Sequence, residues 1–242
     1  SSSLGLKWLV VCAHERDAAA LHRDATAVFG AARVAWFPAP SLTPYQGIAP
    51  SLKVRREEYG ALARLAEGSV ELLVVPARAL LRLLPGADDV KKRTLSVAPG
   101  DRVDVGRLVG ALVAEGYSRA DLVTECGDLA VRGGLVDVFP PNLAEPVRIE
   151  LGFEEVESVR TFDPDTQRST ATLERVLLPP MAATPDTPRS RALSLEVLAA
   201  CRTEDDEPPV PRDPDAPRKH DGLEELLPLL AEGAAPASIL DH

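Results

Sequence analysis

The sequence predicts an α/β domain followed by a smaller α+β domain built around an antiparallel sheet. Three observations support this prediction. Up to residue 94, short apolar runs alternate with helical stretches, a pattern typical of parallel strands connected by helices. Beyond residue 116, strand-like segments follow one another with only turns between them, which favours antiparallel pairing. Prolines are frequent between residues 179 and 217, which indicates a linker after the second domain.

The α/β domain opens with the apolar run Trp8–Cys12, which predicts a buried strand. The next segment is predicted to be a helix, and its apolar residues recur at helical spacing at Leu21, Ala25 and Val28. Val34–Phe37 predicts a second strand. The prolines and the glycine of residues 38–50 predict a loop after it.

Three further elements complete this domain. Arg55–Glu67 is predicted to be a helix that ends at Gly68. Val70–Val75 is apolar except for Glu71, as expected of a strand that is covered on both faces. Ala77–Leu84 predicts a short helix. Because strands separated by helices usually pair in parallel, these elements predict a parallel sheet with crossover helices.

The smaller domain begins with a strongly amphipathic helix. Its apolar residues recur at helical spacing and end before Gly116, at Val105, Leu108, Val109, Leu112 and Val113. Strands are predicted at Val156–Phe162 and Thr170–Leu178, with a turn at Asp163–Asp165. Together these elements predict a small antiparallel sheet backed by one helix.

Residues 147–151 alternate between apolar and charged side chains. In a strand, the three apolar residues face the core, while Arg148 and Glu150 share the open face. The planar guanidinium group of arginine suits bidentate pairing with a carboxylate. Arg148 is therefore a candidate docking residue.

Arg132-Gly133-Gly134 admits two interpretations, a tight two-residue hairpin or a bulge. Either would join the strand-like segments Leu129–Arg132 and Leu135–Phe139. A single copy of this tripeptide is not an RNA-binding repeat. From these residues alone, Arg132 is interpreted as an ordinary surface arginine.

The charge balance argues against binding to nucleic acid. The chain carries 27 Lys+Arg against 37 Asp+Glu, for a net charge of −10, and only 4% of its residues are aromatic. Affinity for nucleic acid comes largely from neutralising phosphates, and single strands are held by stacking on aromatic rings. We therefore do not expect this chain to bind DNA by itself.

The cysteines indicate a reducing compartment. Cys12, Cys126 and Cys201 are odd in number, far apart and contain no Cys-x-x-Cys pair, which excludes a disulfide framework or a zinc site. No apolar run approaches the roughly 20 residues that cross a bilayer, and the first residues do not have the pattern of a secretion signal. A cytoplasmic location without membrane contact is expected.

No pattern indicates catalysis. A nucleotide-binding α/β domain needs a glycine-rich loop ending in Gly-Lys-Ser/Thr, and Gly-Lys does not occur in this sequence. His14 and His22 are too far apart along one helix to bind the same metal ion. The acidic cluster Glu154, Glu155 and Glu157 is interpreted as a solvated turn and strand. We therefore expect no catalytic residue, no bound metal and no cofactor.

Several segments of the smaller domain are together similar to one family. They are Gly116–Val123, Gly127–Val131, Arg132–Pro141, Glu145–Leu151, Glu155–Ser158 and Phe162–Ser169. In this order they resemble the UvrA-interaction domain that UvrB shares with the transcription-repair coupling factor (Mfd) family. Upstream, Phe37-Pro38 with Leu42–Tyr45, and Val74–Leu81, also resemble the coupling factors.

The coupling factors match better than UvrB, because UvrB carries an intact phosphate-binding loop and the coupling factors carry a degenerate copy of the same domain. The resemblance implies a degenerate helicase-like α/β domain at residues 1–94 and an inserted UvrA-interaction domain at 95–180. These domains are followed by a Pro-rich linker at 181–221 and by a segment at 222–242 that packs back on the α/β domain. The ATP-dependent motor of the family is expected to be absent from this chain.

The resemblance also implies a site for UvrA. The positions that match family residues of this site are Arg132, Arg148, Glu150 and Arg119. In the family an aromatic residue follows the second arginine closely, and Phe153 is its counterpart here. The order Gly152-Phe153 shifts the ring by one place, which is expected to turn it to the other face of the strand.

The implied function is that of an adaptor in transcription-coupled nucleotide excision repair, a monomer that recruits UvrA to damage-stalled transcription complexes. RNA polymerase and DNA would be bound only by regions outside this chain. Alanine at Arg132 or Arg148 is expected to abolish UvrA binding and leave the melting temperature nearly unchanged. The alternatives are a UvrB-like subunit that binds ATP and DNA, a hydrolase that uses the acidic cluster, and a DNA-binding module.

Overall fold

The structure is a computed structural model that describes residues 8–39, 52–81, 84–153, 155–190 and 192. Within these ranges, no helix is long and apolar enough to cross a membrane. The predicted segment 222–242 and the predicted linker 181–221, apart from residues 181–190 and 192, lie outside the described residues. The boundaries of the four predicted segments therefore stay predictions.

The first part of the chain is a three-stranded parallel sheet with crossover helices, as the sequence predicts. The strands β1 (Trp8–Cys12), β2 (Val34–Trp36) and β3 (Leu72–Pro76) lie in the order β1-β3-β2. Helix α1 (Glu15–Phe29) connects β1 to β2, and helix α2 (Leu52–Glu67) precedes β3.

The two helices cover opposite faces of this sheet. Val74 of β3 packs against Ala18 of α1. The adjacent Leu73 lies in the larger cluster that contains Leu62 of α2. Since successive residues of a strand point to opposite faces, β3 is covered on both sides. The apolar composition of this central strand follows from that position.

The edge strand β1 is less buried than the sequence predicts. Trp8 is 69% exposed and Val11 is also exposed, so the prediction of a buried strand is wrong at these two residues. In α1, Ala25 is buried, but Leu21 and Val28 are exposed, Val28 by 75%. The reason is position. β1 has a neighbouring strand on one side only, and α1 packs mainly over β2 and β3.

A 3-10 helix at Ala77–Leu81 stands where a short helix is predicted. Helix α3 (Ala87–Arg93), strand β4 (Leu95–Val97) and helix α4 (Val105–Ala114) follow. The carboxylate of Asp104 caps α4 by accepting a hydrogen bond from the backbone N–H of Arg107 at 2.8 Å. Gly116, with a φ of 98°, ends the helical segment as predicted, because glycine adopts this conformation without a steric penalty.

The smaller domain is built on a six-stranded sheet in the order β10-β9-β8-β7-β6-β5. Its strands are β5 (Ser118–Arg119), β6 (Asp128–Arg132), β7 (Leu135–Val138), β8 (Val147–Gly152), β9 (Glu155–Phe162) and β10 (Ser169–Thr172). All neighbours pair antiparallel except β5 and β6, which are parallel. The predicted antiparallel sheet is therefore present, with more strands than the sequence pattern indicates.

The predicted third strand Thr170–Leu178 is two strands, and this prediction is wrong. Its first part is β10, an exposed strand that pairs with β9. Its second part is β11 (Val176–Leu178), which pairs antiparallel with β4. Val176 and Leu178 are buried in the core beside β4, and an exposed edge strand such as β10 offers them no such burial.

The two parts of the chain share one hydrophobic core. Side chains of α2 and β3 belong to the same buried cluster as those of α4 and the six-stranded sheet. The packing is close at Gly60 of α2, where a Cβ atom would lie 2.5 Å from the carbonyl oxygen of Pro141. The guanidinium group of the nearby Arg56 lies 4.9 Å from the centre of the Phe139 ring. These contacts hold the six-stranded sheet against α2.

Candidate partner-binding site

Strand pairing gives the six-stranded sheet one buried and one charged face. The register aligns Asp137 of β7, Arg148 of β8 and Arg160 of β9 in one row. The adjacent row contains Val136, Ile149 and Val159, which are fully buried. Because directly paired residues point to the same side of a sheet, the first row lies on the side away from the core. This confirms the predicted alternation of residues 147–151.

We call this outer side of β6 to β9 the charged face. It is defined by Arg132, Asp137, Arg148, Glu150 and Arg160.

Asp137 is the centre of the charged face. Its carboxylate is only 1% exposed, and both oxygens accept hydrogen bonds from arginine. Arg148 donates through Nε to Oδ1 at 2.7 Å and through Nη2 to Oδ2 at 2.8 Å, a bidentate pair. Arg132 donates through Nη2 to Oδ2 at 2.6 Å. The structure thus brings together Arg132 and Arg148, two of the residues predicted from the sequence.

Arg148 is held from several sides. Its side chain is 18% exposed, and its guanidinium carbon lies 4.6 Å from the centre of the Phe162 ring, a cation–π geometry. Nη1 lies 3.4 Å from the backbone oxygen of Gln167, a long hydrogen bond. The hydrogen bond to Asp137 raises the pKa of Arg148, although burial acts in the opposite direction. Arg148 is therefore a charged side chain with little remaining freedom.

Arg132 is more exposed, with 44% of its side chain accessible. It is the last residue of β6 and pairs with Leu135, so Gly133 and Gly134 form a two-residue hairpin loop. This decides between the two interpretations of the tripeptide in favour of the hairpin. Gly133 has a φ of 58°, and a Cβ atom on Gly134 would lie 2.6 Å from the Leu151 oxygen. Both positions therefore require glycine.

Glu150 also lies on the charged face, two residues beyond Arg148 on β8. It accepts a hydrogen bond from the Ser158 hydroxyl at 2.9 Å, and Arg160 Nη2 lies 3.9 Å from the same carboxylate. The Glu150 and Arg160 side chains are both substantially exposed. Such a pair is screened by solvent and contributes little to stability.

Phe153 occupies the tip of the β8–β9 hairpin. It is fully exposed and has a φ of 42°, in the left-handed region that non-glycine residues rarely adopt. Since Gly152 pairs with Glu155, the ring belongs to the turn and to neither face of the strand. The ring therefore lies at the end of the hairpin, and the expectation that it lies on the other face of the strand is wrong.

Arg119 lies apart from the charged face. It is exposed on β5, at the far edge of the sheet, and pairs with Leu129. Leu129 belongs to the buried row of β6 to β8, so the register does not place Arg119 with Asp137.

Asp137 is the member of this site that was not predicted from the sequence. A signal for it exists, because an acidic residue between Val136 and Val138 in a buried strand requires cationic partners. Arg132 and Arg148, on the two flanking strands, are those partners.

Within the described ranges, no group of three or more His, Cys, Asp and Glu residues is arranged to hold a metal ion. Burial raises the pKa of the Cys126 thiol to about 12, so this cysteine is protonated at neutral pH. Cys12 is partly buried, and Cys201 lies outside the described residues. Of the acidic cluster, Glu155 and Glu157 are exposed on β9.

Residues 95–183 match the model of the family described as UvrB interaction domain. The matched stretch begins at β4 and ends after β11, so it contains the whole charged face.

Similar curated proteins are transcription-repair-coupling factors. That of Bacillus subtilis (strain 168) is 31% identical over 175 residues, which are 72% of this chain and 15% of the relative. That of Myxococcus xanthus is 36% identical over 177 residues, 70% of this chain and 15% of the relative. That of Staphylococcus aureus (strain USA300) is 32% identical over 140 residues, 58% of this chain and 12% of the relative. The chain thus spans a small part of the length of these relatives.

Proposed function

Because residues 95–183 belong to the UvrB interaction domain family, within a chain homologous to the transcription-repair-coupling factors, we propose that this chain is an adaptor of transcription-coupled nucleotide excision repair. Its partner is UvrA, and the charged face is the docking site. RNA polymerase and DNA are contacted through regions outside this chain. The adaptor itself needs no cofactor and acts as a monomer.

The convergence of Arg132 and Arg148 on Asp137 is the observation that carries this proposal. A guanidinium group that is fixed and partly exposed presents several donors in a defined plane, which suits the carboxylates of a protein partner. Arginine is also enriched among the residues that dominate binding energy at protein interfaces. The fully exposed ring of Phe153 supplies an apolar contact near the same sheet.

Isothermal titration calorimetry with purified UvrA tests the proposal. The chain is expected to bind UvrA, and Arg132→Ala is expected to weaken binding by about 2 kcal/mol, roughly thirtyfold. The melting temperature changes little, because the side chain is half exposed and its pair with Asp137 is partly screened.

The matched control is Arg78→Ala, an exposed arginine of the 3-10 helix outside the matched domain. Its affinity for UvrA is expected to equal that of the unchanged chain. Absence of binding by the unchanged chain contradicts the proposed function. Equal losses in both variants contradict the location of the site.

A further inference from the structure

We infer that Asp137 is a positioning residue for partner binding, because its buried carboxylate, fixed by Arg148, orients the guanidinium group of Arg132 toward the partner. This inference rests on the proposed function. It gives the two arginines different roles. Arg148 acts through Asp137, and Arg132 is the residue that touches the partner.

The carboxylate of Asp137 is almost completely buried. An ionised carboxylate that is 1% exposed is stable only when charged or hydrogen-bonded groups replace the lost water. Here the partners are the two arginines, and they occupy both oxygen atoms of Asp137. The position of the carboxylate is fixed by β7, which is paired on both sides, with β6 and β8. Asp137 is thus a rigid acceptor at the base of the charged face.

Arg148 is the less exposed of the two arginines. Two of its three nitrogen atoms, Nε and Nη2, are used on Asp137, and the third is close to the Gln167 oxygen. The group also lies against the Phe162 ring, so one of its two planar sides is covered. Few donors remain for a partner. The geometry therefore makes Arg148 the group that holds the Asp137 carboxylate in place.

Arg132 is the more exposed of the two arginines. Its single contact with Asp137 uses Nη2, and within the described part of the chain Nε and Nη1 have no hydrogen-bond partner. A guanidinium group has five N–H donors, so most of those of Arg132 remain available. Because the contact with Asp137 restricts the side chain before the partner arrives, less conformational entropy is lost on binding.

The charges indicate the chemistry of the partner group. Two guanidinium groups against one carboxylate leave one net positive charge at this point of the charged face. That charge favours an acidic side chain of UvrA, an Asp or a Glu, which pairs with the free edge of Arg132.

The test is a double-mutant cycle with UvrA, measured by calorimetry. Asp137→Asn has nearly the same shape but lacks the negative charge, and it is expected to weaken binding roughly tenfold. In the Arg132→Ala background, the same substitution is expected to change affinity by less than about twofold, because Asp137 acts through Arg132. A tenfold loss in both backgrounds overturns the inference. Circular dichroism checks that each variant is folded, and only folded variants are compared.

A second measurement needs no variant of Asp137. In the NMR spectrum of the unchanged chain without UvrA, rotation of the Arg132 guanidinium group is expected to be slow, and slower than that of Arg78. Free rotation of Arg132 overturns the inference. If rotation is slow but the unchanged chain does not bind UvrA, the proposed function fails and the positioning of Arg132 stands. If UvrA binds and Arg132 rotates freely, the proposed function stands and the inference fails.

Discussion

The two main sheets of this molecule expose different kinds of surface. At the edge of the parallel sheet, the exposed side chains of β1 and α1 include the large apolar residues Trp8, Val28 and Phe29 beside charged ones such as Arg16 and Asp24. On the outer side of the antiparallel sheet, the exposed side chains are charged: Arg132 pairs with the buried Asp137, and Arg160 lies 3.9 Å from Glu150. Apolar surface gains most from permanent cover, whereas a charged face suits an interface that forms and dissociates. The difference indicates that the first surface serves the fold and the second serves a partner.

The largest expected effect is on the melting temperature. It tests whether residues of the charged face can be removed without destabilising the fold. The sequence alone predicts that Arg148→Ala leaves the melting temperature nearly unchanged, but the contacts of Arg148 lead to a different expectation. Removing it leaves the buried Asp137 carboxylate with Arg132 alone, and breaking a buried ion pair typically costs about 3 kcal/mol. For a chain of this size, that lowers the melting temperature by roughly 10 °C.

Differential scanning calorimetry of Arg148→Ala and Arg132→Ala measures this difference directly. Only the Arg148 variant is expected to melt early, while both lose affinity for UvrA. Equal melting temperatures for the two variants contradict the division of roles between the arginines. If both variants also melt at the temperature of the unchanged chain, the whole charged face can be altered without loss of stability.

The second expected effect concerns the apolar surface. Residues 222–242, which the sequence predicts to pack on the α/β domain, are rich in leucine. The residues between 192 and 222 span at most about 95 Å when extended, at about 3.3 Å per residue. If this segment covers Trp8 and Val28, its removal exposes them and lowers the free energy of unfolding by about 2 kcal/mol.

Acrylamide quenching of tryptophan fluorescence tests whether residues 222–242 cover Trp8. The chain has two tryptophans, and Trp36 is nearly buried, so a change in quenching reports mainly on Trp8. Quenching is expected to increase when residues 222–242 are removed. Replacement of residues 203–221 by a Gly/Ser segment of equal length, with 222–242 retained, is the control and is expected to leave quenching unchanged. Unchanged quenching after removal of 222–242 means that the segment does not cover this surface.

The same two surfaces explain how much of the structure the sequence predicts. Helix α4 and the alternation of residues 147–151 are predicted correctly, because their patterns reflect contacts with a single core face. The division between β10 and β11 is missed, because it depends on β4, a strand far away in the sequence. Asp137 is missed for a similar reason, since its two partners lie on different strands and meet it only through the register.

The smallest expected effect concerns Phe153, which breaks the pattern because it is a fully exposed apolar residue on the charged sheet. A left-handed backbone conformation costs a non-glycine residue about 1 kcal/mol, so Phe153→Gly is expected to stabilise the fold by about 0.5 kcal/mol after the added entropy of the unfolded chain. Phe153→Ala removes the ring and keeps the strain, which makes it the matched control.

A strained and exposed ring is explained best by a function, so both variants are expected to bind UvrA roughly fivefold more weakly in calorimetry. Unchanged affinity in both variants assigns docking to the charged face alone and removes Phe153 from the site.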